Sequence, residues 1–448
     1  MQIDPENNET NCSSPNNIHG KQVTEIVTRI LNPNSDFAGK KLCDGPTFSA
    51  GSACVFSCKY CYVETMMNRG HSAVAVALKK IQLPFQEVVL RKKDPVSALR
   101  DELSSLPVAK RDRKAVIFAS PAVDVAATMP LANETVELVN VILDNTNWDI
   151  RLLSKSPLIT HIANRIPSAS KHRLIFGLST GTLDDSVAKA IEPDAPSPSK
   201  RLEALRDLQN AGYRTFAMLC PILPQDMIRF TDQARSLIQF AKCEDVWAEV
   251  LNRRGKSMTH TFQALENAKL SEWAERLRMV FGTRSTDRWE AYARSTFGAL
   301  TSMVPENRLH FLQYVNDNTL AWWNSQAANG AIPLGESTEP KIDPSITKPI
   351  SELESPSVST AATAGNQQTA AAPFSPARKA WVTMRQRYTP EQIRARAQAA
   401  AKKAHETMRK KKGLSANESV MSPVTSKPAS RGRIKTSHLE ALYSKQVS

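Results

Sequence analysis

Residues 50–65 read AGSACVFSCKYCYVET and gather three of the chain's seven cysteines, Cys54, Cys58 and Cys61, into one short stretch. Packing alone does not call for this, because free cysteine is common in cores but seldom so clustered. Thiolates are soft ligands that select zinc or iron–sulfur clusters over hard cations. A structural zinc site takes four protein ligands, and the nearest candidates for a fourth, Cys43 and His71, complete neither a second C-x2-C nor an H-x3-H half. Three ligands leave a cluster with one open iron, where a substrate or cofactor can bind. Cys12, Cys43, Cys220 and Cys243 are scattered and the total is odd, which excludes a secreted disulfide framework and suits a reducing cytoplasm.

Outward from the cluster, short β-branched runs alternate with amphipathic helical stretches. The runs are AVIFAS (115–120), DIRLLSK (149–155), RLIFGLST (173–180), RTFAMLC (214–220) and DVWAEVL (245–251). Helical patterns follow at 132–145, 157–165, 198–211, 226–241 and 262–281. Near-continuous apolar strands separated by helices predict an α/β fold with a parallel sheet covered on its faces, either doubly wound or a barrel. In both, chemistry sits at the C-terminal ends of the strands.

The Cys-x3-Cys-x2-Cys spacing, with Tyr60 just before the last cysteine, resembles a radical S-adenosylmethionine enzyme. Together with LLSKSPLI (152–159), GLSTGTLDDSVAKAIEPDAPSPSKRLEALRDLQNAG (177–212) and MLCPILP (218–224), it is similar to the spore photoproduct lyase-like, or DNA-repair-photolyase-like, branch over about residues 40–300. That resemblance implies a partial (β/α)6 barrel of the TIM type with a [4Fe–4S] cluster at its open mouth. It implies that Cys54, Cys58 and Cys61 hold three irons and that S-adenosylmethionine chelates the fourth. One electron passed into the sulfonium would yield a 5′-deoxyadenosyl radical. It also implies that Lys155 contacts the S-adenosylmethionine carboxylate.

Strand ends supply further candidates. Ser120, Ser179 and Thr180 could hydrogen-bond cofactor or substrate, while Glu192 and Arg201, which bracket PDAPSPSK, could pair or reach the cofactor ribose. The spore-lesion enzyme carries a hydrogen-donating cysteine near the end of its second strand. Here that region reads VIFASPAVD, with Ser120 and no cysteine, a departure that counts against the specific spore-lesion activity; Cys220 at the fifth strand's end could act as a hydrogen donor or be a buried structural cysteine.

The formal net charge of +14 lies almost wholly in the tail, where residues 373–448 hold 17 Lys and Arg against 4 Asp and Glu. Four regions are expected: a disordered start (1–20), a core domain with flanking helices (21–326), a linker (327–376) rich in Pro, Ser, Thr and Ala, and a basic, partly helical tail (377–448). Thr389, Pro390, Gln392 and Gly413 mark a cationic helix with too little apolar content for a core. Arg431, Gly432 and Arg433 resemble half of an AT-hook, which lies in a narrow minor groove. The expected partners are nucleic acid, DNA rather than RNA, and a one-electron reductant such as flavodoxin or ferredoxin. No apolar run approaches the roughly 20 residues of a membrane helix, and residues 1–17 lack a leader's basic and apolar regions, so a cytoplasmic location is expected. Two other readings fit the motif: an RNA- or protein-modifying enzyme with the same radical chemistry, or a DNA-binding protein whose cluster is structural or redox-sensing.

Overall fold

The strands expected from the apolar runs form and pair side by side in the order the chain makes them. In the main sheet β1 (Thr47–Phe48), β2 (Val116–Ala119), β3 (Asp149–Ser154), β4 (Leu174–Ser179), β5 (Arg214–Ile222), β6 (Cys243–Val250), β7 (Leu309–Tyr314) and β8 (Ala331–Leu334) are all parallel. Their register runs through Phe48 beside Ala119, Ile150 beside Leu174, Thr215 beside Phe176, Val246 beside Leu309 and Phe311 beside Ala331. A doubly wound sheet reverses its strand order at a switch point. This one never does, so it winds one way, as a barrel must. It is open in its hydrogen bonding: β8 forms one edge, and a short antiparallel strand, Leu31–Asn32, lies on β1 at the other. The coordinates are a computed structural model that describes residues 17–335, apart from 34, 68–72, 84, 120, 254–256 and 283–285. Of the two units into which the chain divides, Met1–Ser357 and Val358–Ser448, the described residues all lie in the first.

Six strands were expected, and β7 and β8 extend the sheet beyond them. β8 falls inside the stretch read as linker, because four residues followed by Pro-rich text carry no visible period. The expected helices appear at Met129–Asn145, Ile159–Arg165, Pro198–Asn210 and Met227–Ile238. The helix expected over 262–281 is instead two, Ser257–Asn267 and Ser271–Phe281, separated where Lys269 takes a left-handed φ of 59°.

Side chains alternate between the two faces of each strand. In β4, Leu174, Phe176 and Leu178 join the large outer core beneath the helices, while Ile175 faces inward with Phe118, Phe216, Met218, Trp247, Leu312 and Ile332. Gly177 shares that inner face because the Phe216 ring occupies the space its Cβ would need, at 2.2 Å. The same alternation turns Ser179, Cys220, Glu249 and Tyr314 inward at the C-terminal ends of β4, β5, β6 and β7. Deeper in the barrel, the buried Arg151 donates to Leu42 O (2.6 Å) and Asp245 Oδ2 (3.0 Å), with its guanidinium 4.5 Å from the Trp247 ring centre. Trp247 Nε1 donates to Lys40 O (3.0 Å), so the segment before β1 closes this end of the interior.

A smaller sheet of Asn17–Ile18, Lys21–Ile26, Val88–Lys92 and Gly51–Ser52 supports the cysteine loop. Gly51 has no room for a side chain, since a Cβ would lie 2.4 Å from Leu90 O. This close approach sets where the loop begins. Among the described residues, no helix is long and apolar enough to cross a membrane.

Candidate active site

Cys54 and Cys58 lie on the loop leaving Gly51–Ser52, and Cys61 stands directly before the helix Tyr62–Met67. All three thiols are partly buried. The loop is tightly bent: Ala53 and Ser57, each just ahead of a cysteine, have left-handed φ values of 61° and 54°. Such conformations cost a non-glycine residue of order 1–3 kcal/mol and need outside support. Lys59 N donates to Ile191 O at 2.8 Å, Asp194 N to Phe56 O at 3.4 Å, and Ser57 Oγ to Asp194 Oδ2 at 2.6 Å. The cysteine motif therefore packs on the EPDAPSP stretch, the other highly specific segment of the sequence.

Burial pushes each of the three thiols above its usual value, Cys54 to about 12. Opposing that, the backbone amides of Phe56 and Asp124 favour the Cys54 thiolate, and those of Val63 and Glu64 favour that of Cys61. Lys155 favours the thiolates of Cys58 and Cys61. The donor set thus fits an iron–sulfur cluster: soft sulfurs, backbone amides that favour their thiolates, and nearby positive charge. Among the described residues no three His, Cys, Asp or Glu side chains gather as a single metal ion would require. A cluster asks for less, since it takes each thiolate on a different iron. Cys43, considered as a fourth ligand, is buried instead with Phe118, Ile175, Phe216 and Trp247; His71 lies outside the described residues.

Lys155 follows β3 and its Nζ donates to Ser179 Oγ at 2.9 Å. It also lies 3.6 Å from Glu192 Oε1 and 5.6 Å from the Tyr60 ring centre. Glu192 is 3 % exposed, and burial raises its carboxyl, against the pull of Arg201. Arg201 is 1 % exposed; it pairs with Glu192, donates to Ser179 O (2.9 Å) and holds Pro196 O (2.7 Å). Its hydrogen bonds thus hold the EPDAPSP loop and the end of β4. Lys155, Ser179, Glu192 and Arg201 therefore meet in one network. Thr180 is buried beside them, with its hydroxyl given to Thr182 O in the following turn.

Cys220 adjoins this network on the inner wall: Ser179 Oγ donates to its backbone oxygen at 3.4 Å, and its Sγ lies 3.7 Å from Glu249 Oε2. Burial and Glu249 both raise its thiol well above the usual range. Ser120, Arg431, Gly432 and Arg433 lie outside the described residues.

Asp124 was not singled out from the sequence. It accepts from Ser154 Oγ (2.7 Å), Ala126 N (2.9 Å) and Lys155 N (2.7 Å), while its backbone amide favours the Cys54 thiolate. Burial raises its carboxyl, which those hydrogen bonds partly offset. It couples the ends of β2 and β3 to the cysteine loop. The available signal was a lone carboxylate in the otherwise apolar SPAVDVAAT that follows a strand.

No family model matches the chain. An uncharacterized protein, ORF301, of Acidianus two-tailed virus is 26% identical over 254 residues, 54% of this chain and 80% of its own length. An uncharacterized protein, MJ0683, of Methanocaldococcus jannaschii is 26% identical over 176 residues, 38% of this chain, and the match spans only 58% of that relative. Among solved structures, a cysteine-to-serine variant of spore photoproduct lyase aligns with a TM-score of 0.47 and 12% identity, covering 64% of this chain and 81% of that one. Spore photoproduct lyase complexed with dinucleoside spore photoproduct gives 0.43 and 14%, with the same two coverages.

Proposed function

We propose that the protein is a radical S-adenosylmethionine enzyme whose Cys54, Cys58 and Cys61 hold a [4Fe–4S] cluster, and that it acts on nucleic acid. The observation that carries this reading is the packing of the three-thiol loop on the EPDAPSP stretch, whose Glu192 meets Lys155 and Ser179 at the C-terminal ends of two parallel barrel strands. When bound, the cluster supplies one electron for reductive cleavage of S-adenosylmethionine.

The chain's own residues would bind, orient and shield. Lys155 offers an ammonium to the cofactor's carboxylate; it is held by Ser179 and Glu192, and a charge-assisted bond of this kind contributes roughly 1.5–3 kcal/mol. Glu192 is committed to Arg201, so it anchors Lys155 without neutralising it completely. Asp124 fixes the backbone of Lys155 relative to Cys54. The apolar inner wall below excludes water and stray hydrogen donors from a reactive carbon centre. Cys220, whose thiol is raised by burial and Glu249, would be the thiol that returns a hydrogen atom to a substrate radical.

The tail at 377–448, tethered by the Pro- and Ser-rich linker, would raise the local concentration of nucleic acid without fixing its geometry. A flavodoxin- or ferredoxin-like protein would deliver the electron. The test is anaerobic incubation of reconstituted protein with deuterated DNA and, separately, RNA. Deuterium in 5′-deoxyadenosine from DNA supports the reading, label from RNA alone would move the substrate to RNA, and no cleavage of the cofactor in any mixture would overturn it.

A further inference from the structure

Lys21 has no part in the chemistry above, yet its side chain reaches into the cysteine loop from the smaller sheet. It is 5 % exposed. Its Nζ donates to Val55 O at 2.6 Å and to Ser57 Oγ, and lies 3.8 Å from Asp194 Oδ2. Ser57 Oγ in turn donates to the same Asp194 oxygen. One ammonium therefore ties two of the three residues between Cys54 and Cys58, Val55 and Ser57, to the loop of the EPDAPSP stretch. Ser57 within this span, and Ala53 just before it, carry the left-handed backbone.

A buried ammonium is costly unless paired. Burial pulls Lys21 below the ordinary lysine range, and the opposing attractions come from Asp194, Cys54 and Cys58. Asp194 is 44 % exposed on its side chain, so water screens it more than it screens the lysine. A net positive field therefore remains on the side of Cys54 and Cys58. Lys155 supplies a second cation from the side of Cys58 and Cys61.

We infer that Lys21 is a positioning residue for the cysteine loop that also makes a cluster held by Cys54 and Cys58 easier to reduce, with Asp194 moderating its charge. This rests on the cluster reading above. Adding an electron to a cluster beside a fixed cation is favoured, so removing the cation should make reduction harder. Removing the screening carboxylate should do the reverse.

The experiment compares full-length wild type with Lys21→Met, Lys21→Arg and Asp194→Asn, each reconstituted anaerobically. Reduction is followed by electron paramagnetic resonance in a potential titration, and amide hydrogen exchange over residues 53–58 is measured before reconstitution. Lys21→Met should disfavour reduction by about tenfold in its equilibrium constant, about 59 mV for one electron, toward more negative potential. Asp194→Asn should move the potential to more positive values, and Lys21→Arg should restore most of the wild-type value. Exchange in the loop should quicken in both Lys21→Met and Asp194→Asn. A purely structural lysine would shift the two potentials in the same direction or not at all, and either result overturns the inference. If wild type binds no iron, the cluster reading itself has failed. If Lys21→Met cannot be loaded, Asp194→Asn alone decides by the sign of its shift.

Discussion

Replacing Arg201 by methionine removes the guanidinium that holds the EPDAPSP loop. The side chain is 1 % exposed and its partner Glu192 is 3 % exposed, so water does not take over either charge. Breaking a buried ion pair from one side costs about 3–5 kcal/mol, because the remaining charge stays buried without its partner. Here Lys155, at 3.6 Å from the other Glu192 oxygen, offers partial compensation. A loss near the lower end, about 3 kcal/mol, is therefore expected. Urea denaturation should show a lower midpoint with an unchanged slope, which reports stability rather than a change in the unfolded chain. Adding Glu192→Gln should recover part of the loss, giving an interaction energy of about 0.5–3 kcal/mol between the two sites. A cost below about 1 kcal/mol for the single variant would show that Arg201 is not the anchor its hydrogen bonds describe.

Lys155→Ala should leave the cluster in place while S-adenosylmethionine affinity falls roughly ten- to hundredfold, measured by equilibrium binding to anaerobic protein; unchanged affinity would return Lys155 to a purely structural role. Lys92, buried and donating to Arg29 O, is lowered by burial to about 8 from 10.5. Between those values the unfolded chain binds more protons, so this group makes stability rise with pH over that window, and Lys92→Met should flatten the rise in pH-dependent denaturation. Removing residues 373–448 should leave substrate-free cleavage of S-adenosylmethionine intact while nucleic-acid affinity and its salt dependence fall sharply, each lost phosphate contact changing the log–log slope by roughly 0.9 on duplex DNA.

The strand-and-helix alternation was legible because each of β2 to β6 is a near-continuous apolar run, as strands buried on both faces require. Barrel and doubly wound sheets share that pattern, so choosing between them required the pairing itself. β8 was hidden by its length and its proline. Lys155, Ser179, Glu192 and Arg201 were visible as polar residues at strand ends and in a distinctive loop. Their union around one carboxylate was not, since it brings together positions from four different elements. Lys21 and Asp124 were missed for the same reason: each is one charged residue in an unremarkable context, and only burial and partners give it meaning.

In the proposed function, three thiolates hold a redox-active cluster that cleaves S-adenosylmethionine. The direct test is iron and sulfide content, together with 5′-deoxyadenosine formation after dithionite reduction, in anaerobically reconstituted wild type and in Cys54→Ala, Cys58→Ala and Cys61→Ala. Wild type should carry one [4Fe–4S] cluster and release 5′-deoxyadenosine without substrate, and each single replacement should abolish both. Tight stoichiometric zinc without iron, or a cluster that survives replacement of all three cysteines, would contradict it.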